Sequence, residues 1–173
     1  DSLFKVGVAG SLGVSKAVGI GIAADVEVIG RRTRAYIGSD STVNAMDDVA
    51  LQADTNGKIF SFAAGLGIGS DTAGVAGSAA VVTTTDVTRS SIGSGSTVSV
   101  GGDVVIHAAS DTLLVGGAGV FAVGGKAGVG LTNVTVVRSD TVETEISGST
   151  VTAGGAVGLE SGAHSSVVSL AIG

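Results

Sequence analysis

The sequence predicts an all-β fold: a β-solenoid (parallel β-helix) built from repeats of about 54 residues. Three observations carry this expectation. The phrase Ile37-Gly38-Ser39-Asp40-Ser41-Thr42-Val43 returns as Ile92-Gly93-Ser94-Gly95-Ser96-Thr97-Val98, and again as Ile146-Ser147-Gly148-Ser149-Thr150-Val151. Period-two alternation sets Phe60, Phe62, Ala64, Leu66 and Ile68 against Ser61, Ala63, Gly65, Gly67 and Gly69. Finally, 30 glycines and no proline among 173 residues leave a Gly/Val/Thr-rich chain that disfavours helix.

The repeats organise the whole chain. Aligned on the isoleucines, it divides into a partial unit (1–36), two whole units (37–91 and 92–145) and a second partial unit (146–173). We expect one continuous solenoid segment over 1–173. Asp48-Val49-Ala50-Leu51 matches Asp103-Val104-Val105-Ile106 and Ala156-Val157-Gly158-Leu159. Lys16-Ala17, Thr72-Ala73 and Lys126-Ala127 mark one common turn, with a one-residue slip in the first copy. The chain opens at Asp1 in mid-pattern and stops at Gly173 within a unit, so it reads as a segment of a longer protein or a subunit continued by its neighbours. Each unit is either one wide turn of the solenoid or two turns of about 27 residues. The lack of similarity between its halves favours the wide turn.

Further turns are expected at Met46-Asp47-Asp48, Asp54-Thr55-Asn56-Gly57, Gly69-Ser70-Asp71-Thr72 and Gly101-Gly102-Asp103. Stacking should place Ile37, Ile92 and Ile146 in an inward column. Three polar columns are expected outside: Gln52, His107 and Glu160; Arg31, Asp86 and Asp140; Arg34, Arg89 and Glu143. Arg31 with Asp86 and Arg89 with Glu143 would form exposed cross-rung pairs that fix register more than they add stability. His164 falls in a turn column with Asn56 and Asp111.

Composition limits the function classes. Hydrophobic residues make up 44% and charged residues 14%, too apolar for a solvated disordered linker. A net charge of −6 argues against nucleic-acid binding and offers no polybasic handle for anionic lipid. No cysteine is present, so disulfides and thiolate chemistry are absent. The apolar run from Leu113 to Gly125 is too short for a spanning helix, and five aromatics without tryptophan do not make the girdles of a membrane barrel. No membrane insertion is expected.

Site motifs fail on spacing. Gly65-Leu66-Gly67 and Gly117-Ala118-Gly119 are not followed by the glycine a dinucleotide loop needs, and Val120 stands where a phosphate loop before Gly125-Lys126 needs glycine. His107 and His164 form no set with a serine and an aspartate that can be singled out. Aspartates at Asp40, Asp47, Asp48, Asp54, Asp71, Asp103 and Asp111 could supply oxygen to calcium, but turn chemistry accounts for them more simply. Thr83, Thr84 and Thr85 suggest an ice-binding ladder that the other units do not continue, and Asn133-Val134-Thr135 is a weak glycosylation sequon. The expectation is a non-enzyme with no catalytic, cofactor-binding or metal-ligating residue, and no cofactor.

The stretches Ala35-Tyr36-Ile37-Gly38-Ser39-Asp40-Ser41-Thr42-Val43-Asn44-Ala45 and Ser96-Thr97-Val98-Ser99-Val100-Gly101-Gly102-Asp103-Val104-Val105-Ile106 resemble the repeats of very large bacterial exoproteins. These are similar to filamentous haemagglutinin-like adhesins, including the leukotoxin-like filamentous type. The resemblance implies a right-handed parallel β-helix, export across the outer membrane and an extracellular or cell-surface fibre. Expected partners are neighbouring repeats of the same chain or identical subunits end to end. The expected function is a stalk, spacer or filament body. A homopolymeric filament or sheath subunit and a glycan- or protein-binding adhesin module are the alternatives.

Overall fold

The protein is an all-β parallel solenoid, described by a computed structural model that covers all 173 residues. Its strands are β1 (Ser2–Ser15), β2 (Val18–Ile37), β3 (Thr42–Ala45), β4 (Val49–Gly69), β5 (Ala73–Ile92), β6 (Thr97–Val100), β7 (Val104–Gly124), β8 (Ala127–Ile146), β9 (Thr150–Ala153) and β10 (Val157–Ile172). They stack into three sheets, ordered β1-β4-β7-β10, β2-β5-β8 and β3-β6-β9. All pairings are parallel. One unit is therefore one wide turn: a long strand, a tip turn, a second long strand, a corner, a four-residue strand and a second corner. Of 112 backbone hydrogen bonds, 93 lie within strands, so the backbone is satisfied mainly between rungs.

Register follows the repeats. Ile37, Ile92 and Ile146 are partners in one ladder, and Thr42, Thr97 and Thr150 in another. At the corner after each isoleucine, Asp40, Gly95 and Gly148 all take positive φ (56°, 75° and 54°). That conformation suits glycine, and it is tolerated by aspartate.

The interior tapers along the rung. Where three sheets meet, Leu51, Ile92, Val98, Val100, Val104 and Ile106 form the largest apolar cluster. Next comes a polar waist, in which Thr88 Oγ1 donates to Thr55 Oγ1 (2.8 Å) and Thr55 Oγ1 to Thr33 Oγ1 (2.7 Å). Beyond it lie Ile59, Val82 and Leu114, then Ala63, Ala80 and Ala118. At the tip the facing positions are mostly glycine and alanine. A methyl group at Gly67 or Gly69 would land on the carbonyl of Val75 or Ala73 in the opposite sheet. The two long sheets thus meet almost backbone to backbone at this edge, and only glycine permits that approach.

Three expectations are corrected. Asp54-Thr55-Asn56-Gly57 is not a turn but the middle of β4, and His164 lies within β10. The ladders on both sides hold this stretch extended. The column Arg31, Asp86 and Asp140 faces inward rather than outward, because each strand runs unbroken to its inward isoleucine. Arg31 and Asp86 are buried at the waist, and Arg138 pairs with Asp140 beside them. Further charge enters the first rung: Lys5 pairs across the interior with Glu27, and Ser61 Oγ donates to Asp25 Oδ2 (2.6 Å).

Candidate functional site

Two surface features carry chemistry. The first is a polar strip on the outer side of the four-stranded sheet, near the waist. Because β4, β7 and β10 pair in register, Gln52, His107 and Glu160 stand in one outward column. Gln52 Nε2 donates to Asp54 Oδ2 (2.6 Å). The His107 ring lies between two carboxylates, with Nε2 3.6 Å from Asp54 Oδ1 and Nδ1 3.5 Å from Glu160 Oε2. Asp111 and His164 occupy the column two outward steps further toward the tip, beyond that of Asp54. This patch sets polar side chains of adjacent rungs side by side. With a carboxylate on either side and no hydroxyl between them, the imidazole is not arranged to activate a serine.

Aspartates at the corners serve the backbone. Asp48 Oδ1 accepts from the Asp103 N–H (2.7 Å), and Asp103 Oδ1 accepts from the Ala156 N–H (2.7 Å). Each carboxylate thus caps the rung above it. No group of three or more His, Asp or Glu side chains is placed to hold a metal ion. On the second long sheet, Arg89 Nε and Nη2 donate to Glu143 Oε2 at 3.0 and 2.5 Å. This pair faces outward, as expected. The hydrogen bond and the nearby negative charge push the Arg89 guanidinium up from its ordinary value.

The second feature is the outer surface of the tapered edge, which is apolar on both sides. On the four-stranded sheet the outward columns are Val6-Phe60-Val115-Val168, Val8-Phe62-Gly117-Leu170, Gly10-Ala64-Gly119-Ile172, Leu12-Leu66-Phe121 and Val14-Ile68-Val123. None holds a polar side chain. Across the edge, Val18, Ile20, Ile22, Val26 and Val28 are likewise exposed. Most large side chains therefore stand outside and small ones inside, since the narrow interior is filled mainly by glycine, alanine and serine, with Val120 fitting opposite Gly130. The alternation around Phe60 is plain in the sequence. The direction of the large residues follows only when β4 runs unbroken from inward Leu51, which puts Phe60 and Phe62 on the opposite face.

The relief of this face is uneven. The Phe62 ring lies over Gly117 of the next rung, filling the space a side chain there would need. Beside it, Gly10, Ala64 and Gly119 form the floor of a groove walled by Leu12, Leu66 and Phe121. No protein-family model, curated protein or solved structure matches the chain.

Proposed function

We propose that this chain is a structural segment of an extracellular fibrous surface protein, serving as stalk, spacer or filament body. The observation that carries the reading is that the corner columns are kept while the outward polar columns of the rung change. Ile37, Ile92 and Ile146 repeat unchanged in one ladder, whereas Gln52 gives way to His107 and then Glu160. Arginine is kept at Arg34 and Arg89 and gives way to Glu143. A repeat that keeps its shape while its surface chemistry changes suits a scaffold. Its extracellular location rests on the resemblance of the repeats to filamentous exoproteins.

Rung width qualifies the kind of scaffold. Each unit of about 54 residues lengthens the stack by only about 4.8 Å, one strand spacing. Most of the residues widen the rung, so the proposed element is a broad wall rather than a thin thread. Load along the axis would be carried by many backbone hydrogen bonds per rung acting together.

Antibodies raised against residues 1–173 test the placement. They should label intact producing cells along extended surface structures. Labelling that appears only after permeabilisation would overturn the reading.

A further inference from the structure

We propose that the apolar outer face of the four-stranded sheet is a lateral interface with a second copy of this chain. Five adjacent columns carry only apolar side chains or glycine, and nothing within the chain covers them. Leu12 is 65% exposed, Phe121 63% and Val8 75%. Exposed contiguous apolar surface of this kind marks interaction sites, whereas scattered single residues do not.

The face is large enough for a stable pair. About ten residues of strand across three rungs, with about half that length on a fourth, at a rise near 3.3 Å and a spacing near 4.8 Å, cover about 550 Å². Two copies would bury roughly 1,100 Å², just above the roughly 1,000 Å² that a specific interface should clear. Every added rung extends that area.

The relief is self-complementary. The ridge of Leu12, Leu66 and Phe121 stands directly beside the groove floored by Gly10, Ala64 and Gly119. A two-fold axis parallel to the stacking direction, placed between these columns, seats each copy's ridge in the other's groove. This isologous arrangement keeps both stacks parallel over the three rungs that share ridge and groove, and Ile172 closes the groove on the fourth. The five columns themselves carry no charge, and the nearest on this face is Lys58, one column beyond Phe60. The opposite sheet is a poorer surface, since Asn133 and Thr135 enter its outer columns.

A lipid bilayer is the other environment such a face fits, and the net charge of −6 offers no polybasic handle for an anionic surface. The pairing does not depend on extracellular placement, so its failure and that of the scaffold reading are separate.

The test is sedimentation velocity of the 173-residue chain from about 1 to 100 µM, a range that brackets micromolar association. A concentration-dependent dimer is expected. Leu12→Lys/Phe121→Lys should shift it to monomer at every concentration while the far-ultraviolet circular dichroism keeps its strand signature. Ala50→Lys, on the same sheet at the wide end, should pair as the parent does. Three results would overturn the proposal. One is a parent chain that stays monomeric throughout. Another is assembly that survives Leu12→Lys/Phe121→Lys, which places it at the strand edges. The third is a monomer that floats with phosphatidylcholine/phosphatidylglycerol vesicles, which assigns the face to lipid. If Leu12→Lys/Phe121→Lys unfolds, Val8→Glu is read in its place by the same criteria.

Discussion

Arg31 and Asp86, on neighbouring rungs, form a two-point ion pair inside the solenoid. Nε donates to Oδ1 at 2.8 Å and Nη2 to Oδ2 at 2.5 Å, with the side chains 6% and 0% exposed. Two further guanidinium N–H groups reach the Asn56 carbonyl (2.8 Å) and Thr112 Oγ1 (2.9 Å). Gly57 makes the room, since a methyl group there would meet the guanidinium. The pair ties three rungs and both long sheets together. Partners for four of its five N–H groups make this buried charge tolerable, without making the pair better than an apolar replacement.

Removing one partner should therefore cost much more than removing both. Arg31→Met leaves Asp86 buried and unpaired, with an expected loss of about 3–5 kcal/mol. The double replacement Arg31→Met/Asp86→Leu should fall within about 1 kcal/mol of the parent or exceed it. Urea titration of the parent, the two single variants and the double variant measures the coupling. A loss for Arg31→Met below about 1 kcal/mol would mean that solvent reaches the waist.

The same pair shows how far the sequence could be read. The repeat, the strand content and the inward isoleucines were legible because parallel stacking preserves column identity. The side on which Arg31 points was legible too, but only through parity. Arg31 and Ile37 are separated by an even number of positions in one unbroken strand, so both face inward. Arg34 and Arg89 are odd steps from their isoleucines and face out. Side-chain polarity suggested the opposite for Arg31, and a charged interior defeats that signal. The Asp54–Gly57 stretch misleads for a related reason: its residues favour turns, yet ladder bonds on both sides override local preference. Reading a turn there hides the parity between Leu51 and Phe60. The apolar outer face is lost with it.

The isoleucine column offers a direct measure of the wide-end core. Ile92 is fully buried among Leu51, Val98, Val100, Val104 and Ile106. Truncation removes packing on two rungs and leaves a cavity that rigid ladders cannot close. Ile92→Ala should cost about 2–5 kcal/mol in urea or thermal unfolding. A loss below about 0.5 kcal/mol, typical of surface sites, would remove the column from the interior.

Two glycines on one sheet separate close approach from mere smallness. Gly67 faces the opposite sheet, where a methyl group would strike the Val75 carbonyl. Gly10 faces outward, with nothing within 4 Å of the same position. Gly67→Ala must push the sheets apart, at an expected cost of about 1–3 kcal/mol. Gly10→Ala should stay within about 0.5 kcal/mol of the parent. Equal effects in thermal unfolding would mean that the tip is not packed backbone to backbone.

The corner after each isoleucine demands a left-handed residue, and the repeats meet the demand in two ways. Gly95 and Gly148 reach positive φ without strain, while Asp40 holds the same conformation with its backbone N–H bonded to the Ser94 carbonyl (2.9 Å). Gly95→Ala should therefore cost about 1–2 kcal/mol, the penalty for a β-carbon in this region. Gly95→Asn should cost less, because a short polar side chain tolerates the conformation and can bond locally. Crowding opposes both variants, since the Asp40 carboxylate lies over Gly95. Pairing each substitution with Asp40→Gly removes that contact and leaves the φ penalty alone. In that background urea unfolding should still rank alanine below asparagine. A reversed or vanished ranking would show that crowding, and not the left-handed backbone, selects glycine at this corner.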